Sequence, residues 1–358
     1  MSDRRAVPLL ALLLVAPAAA QVPLAEVREV LAQYAVSRPS AESLATLDAR
    51  DLPRQLRAID PYARLFTGTE YTRERAFDAD AVGIGAALGR WNGRYVLSPY
   101  GDGPLAVAGV RSPVHLQRID GVAVAALPLA DVAARLRGEA GSSVRLDLEG
   151  PAGRSEVRLL RQPFRPSPVE AVAIGDRRVV RVRDFATRTT RTHLAVALRD
   201  VGATGDPVII DLRDSPGGDL FEALDAAALF VPGGAVLATT RDAAGAVKVY
   251  ESPPGAKLRL PSIALWIGPG TASAAEIFAG ILQQHGLARL VGARSFGKCS
   301  TQTDVVLSDG SVLRLTNREV LLPGGQGCSG AGLSPDVAVD GDALLDEAWL
   351  LEASGAAR

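Results

Sequence analysis

Two apolar runs of strand length, residues 208–212 and 263–267, each break into a glycine-rich turn and then into a helical stretch. A strand that is apolar at consecutive positions buries both faces. That is the habit of parallel sheets, which need helical crossovers. The first run enters Asp214-Ser-Pro-Gly-Gly-Asp219 and then a helix to about Phe230. The second enters Gly268-Pro-Gly-Thr-Ala-Ser273 and then a helix to His285. A strand over 179–182, a helix over 192–201, a short strand at 290–291 and a hairpin turning at Asp309-Gly310 complete the pattern. Together they predict an α/β domain of roughly 180 residues, beginning near residue 170.

The 358 residues leave room for more than that domain. Residues 1–20 read as a secretory signal peptide: Arg4 and Arg5, an apolar run over 6–16, then Ala18-Ala19-Ala20 before Gln21. The competing reading is an uncleaved anchor. Residues 24–58 carry apolar positions at helical spacing, with Ser40 placed to cap a second helix. From about residue 81 the texture changes to short strands, over 94–98, 116–119, 144–148 and 157–160. A turn at Asp120-Gly121 and an amphipathic helix over 129–137 accompany them. This predicts a small β-rich binding module, followed by a linker at Pro163, Pro166 and Pro168.

Composition removes several functions. The formal net charge of -1 gives no reason to expect nucleic acid as a partner. Two cysteines cannot build a disulfide scaffold or a cysteine-rich zinc module. His115, His193 and His285 lie far apart without metal-ligand spacing, so no cofactor or metal is expected. Of the 39 basic residues only Lys248, Lys257 and Lys298 are lysine. Arginine cannot release its proton in a protein and a buried lysine can, so each lysine asks for a reason.

The two strand-to-helix turns hold the candidate chemistry, because ligands gather at the carboxyl ends of strands in α/β sheets. Free amides around Gly217 and Gly218 suit an oxyanion, although a plain tight turn has the same composition. Ser273 opens a helix among alanines. Ser273-Ala-Ala-Glu276 fits a capping box, and equally a nucleophile whose following amide, that of Ala274, meets a developing oxyanion. His285 lies twelve residues along the same helix, about 18 Å away, too far to serve as the base. Lys298 is the better base, in a glycine-containing segment without nearby acids. An ordinary lysine, with a pKa near 10.4, is neutral in only about one molecule in 2,500 at pH 7. Burial lowers that value, and Ser–Lys pairs are known variants of the catalytic triad. Lys248 and Lys257 read as surface lysines. Cys299 and Cys328 are a disulfide candidate in an exported chain, with a cysteine nucleophile as the alternative.

These segments, in this order, resemble the carboxyl-terminal processing peptidases, the tail-specific serine proteases. Ile59-Asp-Pro-Tyr62 is similar to the motif before that family's PDZ module, and Val82-Gly-Ile-Gly85 to the PDZ carboxylate-binding loop. Asp211-Leu-Arg-Asp-Ser-Pro-Gly-Gly218, Thr271-Ala-Ser-Ala-Ala-Glu276, Phe296-Gly-Lys298 with Gln302, and Ser334-Pro-Asp336 match in turn. The resemblance implies an α/β fold class: an N-terminal helical region (21–80), a PDZ-like domain (81–163), a crotonase/ClpP-like catalytic core (164–350) and a short tail (351–358). It implies an exported endopeptidase, periplasmic or secreted, that cleaves proteins near accessible C-terminal tails. Ser273, Lys298 and Gln302 would be catalytic, Gly217, Gly218 and Ala274 the oxyanion hole, and Gly83, Ile84 and Gly85 the peptide-binding loop. An adaptor protein and a homo-oligomer stay open.

The chain also departs from the family. Ala108-Gly-Val110 lacks the Gly-Asp that commonly follows, Cys299 stands where glycine is usual, and Ala275 replaces a second serine. The rival functions are a non-catalytic protein whose PDZ captures C-termini, and a crotonase-like thioester enzyme using the Gly217–Gly218 turn.

Overall fold

A computed structural model describes residues 22–76, 82–185, 189–202, 207–339 and 341–355. The signal-peptide segment lies outside the described residues. Among those described, no helix is long and apolar enough to cross a membrane.

The organising element is a six-stranded sheet in the order Val169–Ile174, Arg177–Val182, Val208–Asp211, Ile263–Ile267, Arg289–Gly292 and Val337–Ala338. Its first pair is antiparallel and every later pair parallel. The central strands Val208–Asp211 and Ile263–Ile267 are buried at every position, as their apolar character predicts; the one polar residue, Asp211, is buried against Arg213. One face packs against helices Thr190–Gly202, Leu220–Ala227 and Ala274–Gln284. The last of these is apolar almost all round, and residues 274–282 are all buried. Gly280 lets that helix lie on the 318–322 strand end: a Cβ there would stand 2.6 Å from Leu322.

The opposite face, around Trp266, is covered by the C-terminal helix Glu347–Gly355 and by Trp91 and Val96 of the β-rich module. That helix runs past the tail boundary expected at 350, because Leu350 and Ser354 are buried and Trp266 Nε1 donates to Ser354 Oγ at 2.8 Å. Arg213, fully buried, ties this layer together. It bonds Asp211 Oδ2 at 2.7 Å, Glu347 Oε1 at 2.8 Å and the Leu344 carbonyl at 2.7 Å. Burial alone would raise the Asp211 carboxyl; the Arg213 and Arg181 guanidiniums outweigh it and hold its pKa at about 2.

A second, antiparallel sheet places Arg64–Phe66, Val312–Leu321, Val236–Asp242 and Val247–Glu251 in that order, with Ser300–Val306 also paired to Val312–Leu321. The 236–251 hairpin has no counterpart in the sequence reading. The helices Leu24–Tyr34, Ala41–Ala45 and Leu52–Ile59 pack on the 305–315 part of this sheet, so the N-terminal region is not a separate body. Ser40 does cap its helix, accepting from the Ser43 amide at 3.1 Å. The β-rich module has its own core, on a sheet ordered Ala86–Trp91, Arg94–Pro99, Val114–Ile119, Ser143–Gly150 and Gly153–Leu160. The expected proline linker begins as a strand: Gln162–Pro163 pairs with Val82–Gly83.

Candidate active site

Parallel neighbours end on the same side of a sheet, so the turns after Val208–Asp211 and Ile263–Ile267 meet. They are stitched together. The Ala272 amide donates to the Ser215 carbonyl at 2.9 Å, and Thr271 Oγ1 to the Leu212 carbonyl at 2.8 Å. Phe185, beyond the neighbouring strand, pins the glycine turn from the other side. Its amide donates to Gly217 at 2.8 Å and its carbonyl accepts from Asp219 at 2.9 Å. After the strand Arg289–Gly292, the chain crosses over the serine turn, where the Phe296 amide donates to the Thr271 carbonyl at 2.9 Å. The tips of four strands therefore converge on one place.

Ser273 sits there with φ 56° and ψ -121°, a positive φ that a serine rarely adopts. The expected capping box of Ser273 and Glu276 is present, but an N-cap serine ordinarily has extended backbone, so capping does not account for this positive φ. Gly217 explains how the two turns approach so closely. With φ 96°, its missing Cβ would lie 2.6 Å from the Ala272 carbonyl, 2.7 Å from the Ala274 amide and 2.8 Å from Ser273 Cβ. Among the described residues, the amides of Gly217, Gly218 and Ala274 donate to no protein group. Gly217→Ala is therefore expected to cost about 1–3 kcal/mol of stability, from strain and contact. If Ser273 is a nucleophile, its acylation should also slow by about 10²-fold as the Ala274 amide moves. The rate of labelling by a fluorophosphonate, read beside a thermal melt, checks both.

The residue that assembles the site is Glu276, which the sequence pointed to only as half of a capping box. It is completely buried. Its Oε2 accepts the Ser273 amide at 2.9 Å and the Lys298 amide at 2.8 Å. Its Oε1 accepts the Gly297 amide at 2.7 Å and Ser295 Oγ at 2.5 Å. Because one oxygen holds both amides, the nitrogens of Ser273 and Lys298 are no farther apart than those two bonds laid end to end. A serine and a lysine 25 positions apart in sequence are thus brought together at the backbone.

The Lys298 side chain is half-buried, its Nζ 5.1 Å from the centre of the Tyr62 ring. Burial pushes its pKa below the usual lysine value and the Arg314 charge lowers it further, while Asp60 and Glu276 oppose. Tyr62 also donates to the Gly297 carbonyl at 3.2 Å. Asp60 anchors the same turn, accepting the Thr316 amide at 2.6 Å and its hydroxyl at 3.0 Å. No hydrogen bond joins Ser273 Oγ to Lys298 Nζ among the described residues. Gln302 Nε2 is directed at Ser300 Oγ, 3.1 Å, and Thr316 Oγ1, 3.4 Å, rather than at the lysine. Catalytic hydrogen bonds are often long before substrate arrives.

Ser273 and Gln302 line one cavity of about 400 Å³ beneath the second sheet, together with Gly218, Ala274, Ile277 and Thr240. Lys298 does not line it. Cys299 and Cys328 are bonded, with Cα atoms 5.2 Å apart, a normal span for a disulfide. The bond ties the lysine segment to the loop that follows Val312–Leu321, and closing 29 residues contributes about 3–4 kcal/mol in the chain-entropy account. Ligand atoms of Glu276, Cys299 and Cys328 lie within 4.8 Å of one another, but the bonded sulfurs offer a metal no thiolate.

Other sequence candidates lie elsewhere. His285 Nε2 is 2.8 Å from the Val236 carbonyl, and His115 pairs with Asp342 at 2.9 Å. Lys257 is not a free surface lysine: its Nζ donates to Ala228, Ser252 and Pro253 at 2.8–2.9 Å, fastening the 252–258 loop. In the β-rich module, Gly83 is in a strand and Ile84 is buried. Gly85, φ 65°, abuts Gly103 and Pro104, where a Cβ would stand 2.4 Å from the proline ring.

Residues 178–339 match the model of peptidase family S41. The chain is 28% identical over 285 residues to a probable CtpA-like serine protease of Staphylococcus aureus (strain bovine RF122 / ET3-1), covering 78% of this chain and 57% of the relative. It is 27% identical over 283 residues to a probable CtpA-like serine protease of Staphylococcus epidermidis, with 78% and 58% covered. The chain thus spans a little over half the length of these curated relatives. Among solved structures, a photosystem II D1 C-terminal processing protease aligns with a TM-score of 0.66 at 25% identity, over 89% of this chain and 93% of that one.

Proposed function

We propose, from the match of residues 178–339 to the model of peptidase family S41, that this chain is an exported serine endopeptidase cutting proteins near their C-termini. The observation that carries the reading is the shared Glu276 oxygen, which holds a serine with a strained backbone against a lysine whose pKa is depressed.

In this reading the neutral Lys298 Nζ takes the proton of Ser273 Oγ as that oxygen bonds to the scissile carbonyl carbon. The oxyanion faces the unpaired amides of Gly217, Gly218 and Ala274. When the C–N bond breaks, the Lys298 ammonium returns its proton to the departing amine, leaving an acyl-enzyme. Water then attacks the ester with Lys298 again as base, and serine is released. Gln302 orients the amine after turning from Ser300 and Thr316. The 81–163 module is PDZ-like in this reading, with Gly83, Ile84 and Gly85 as the loop that receives a tail carboxylate. The buried Cys299–Cys328 bond supports an oxidising compartment, periplasmic or extracellular.

The test is the pH dependence of fluorophosphonate labelling, read with cleavage of a tailed reporter. Only the neutral amine can act, so labelling rises with pH. Because the Lys298 pKa is lowered, the inflection falls below the ordinary lysine value near 10.4. Ser273→Ala takes no label and cuts no reporter. Labelling that persists in Ser273→Ala removes the reading.

A further inference from the structure

We propose that the Cys299–Cys328 bond positions the base: it holds the lysine segment against Glu276, and turnover depends on it. The inference rests on the peptidase reading above. Cys299 directly follows Lys298, so the bond enters the chain beside the residue that carries the amine.

Residues 295–299 lie between two supports. On one side Glu276 accepts from Ser295, Gly297 and Lys298. On the other side lies the stretch 328–333. The Leu333 amide donates to Ser295 Oγ at 2.6 Å, the Gly330 amide to the Gly297 carbonyl at 2.9 Å, and Ser329 Oγ to the Cys299 carbonyl at 3.0 Å. The two backbones touch, because a Cβ on Gly332 would collide with the Ser295 carbonyl. The Cys328 carbonyl accepts the Ala331 and Gly332 amides at 3.2 and 2.8 Å. Cys328 therefore anchors the turn that makes these contacts.

That loop is poorly suited to stay in place unaided. Gly324, Gly325, Gly327, Gly330 and Gly332 make up more than half of residues 324–332. Glycine loses the most conformational freedom on ordering. Three hydrogen bonds return little net free energy against that loss. A covalent tether removes much of the loss in advance. The bond also covers the carboxylate that joins serine to lysine: both cysteines are buried, with sulfurs within 4.8 Å of a Glu276 oxygen.

Without the tether, water gains access to the Lys298 amine. The titratable and charged groups that face this amine are Tyr62, Asp60, Glu276 and Arg314. Residues 323–332 carry no charged side chain. Loss of the bond therefore acts on the amine through position and water, not through charge.

Because the bond is buried, the experiment removes it by substitution rather than with a reductant. Cys328→Ala leaves residue 299 in place, and Cys299→Val/Cys328→Ala refills part of the vacated space. Leu350→Ala is the control, destabilised on the opposite face of the main sheet. Each full chain is assayed well below its melting transition, with sucrose added to favour the compact state. The readouts are reporter cleavage and the pH profile of fluorophosphonate labelling. All three variants should melt below wild type. Both cysteine variants should lose about tenfold or more in kcat with little change in KM. Their labelling inflection should rise by about one pH unit as the amine gains water. Leu350→Ala should keep the wild-type kcat and inflection. Cysteine variants that melt lower yet keep both values overturn the inference, because the bond is then structural alone. A Leu350→Ala inflection that rises as far overturns it too. If wild-type Ser273 takes no label and no reporter is cut, the peptidase reading fails and takes this inference with it.

Discussion

Lys298→Arg is expected to stop turnover while the protein stays folded. Arginine keeps the positive charge and can still lie over the Tyr62 ring, but it does not give up its proton near neutral pH. If the amine is the base, kcat on a tailed reporter falls by about 10³-fold or more. The thermal midpoint should hardly move, because the desolvation that lowers the Lys298 pKa already disfavours the lysine cation. Stability and rate must therefore separate in this variant. Substantial turnover with arginine at this position ends the assignment of lysine as base, whatever happens to Ser273.

Glu276→Ala is expected to lose both stability and activity. The carboxylate is fully buried and accepts four donors, from Ser273, Ser295, Gly297 and Lys298. Truncation leaves those donors unpaired in a space that admits little water, a loss on the order of 4 kcal/mol. It also releases the serine turn from the lysine segment, so reporter cleavage should fall by at least about 10²-fold even below the melting transition. Glu276→Gln separates the two roles. It keeps the volume and one acceptor oxygen, so it should recover part of the stability while turnover stays low. Thermal melts read beside kcat make the comparison. A Glu276→Gln enzyme with wild-type kcat would show that sharing the carboxylate between the two amides is irrelevant to catalysis.

Much of the architecture was legible in the sequence. Residues 263–267 are apolar at every position and 208–212 at all but Asp211, and that pattern has few uses outside a covered parallel sheet. The Asp120-Gly121 and Asp309-Gly310 turns were readable because only a few residue types tolerate positive φ, and Asp120, Gly121 and Gly310 adopt it. The hairpin over 236–251 was not legible. Its strand Val247–Glu251 lies at a sheet edge with Val247 and Val249 exposed, so the apolar positions of Val-Lys-Val-Tyr-Glu do not mark a buried face. Lys257 was misread for a related reason: its partners include carbonyls of Ala228 and Pro253, which no side-chain pattern announces.

The sequence by itself determined the chemical inventory of the site. It set Ser273 and the Gly217–Gly218 pair in turns that each follow a buried strand, and it kept lysine at 298 in a chain that otherwise prefers arginine. Those are local matters of turn chemistry, periodicity and residue type. Only the tertiary structure decided that Glu276 is the buried hinge between serine and lysine, and that Gln302 rests against Ser300 and Thr316. Each depends on which backbone amides and hydroxyls lie within about 3 Å of a side chain after packing. Those neighbours come from segments far apart in the chain, so no local pattern could encode them.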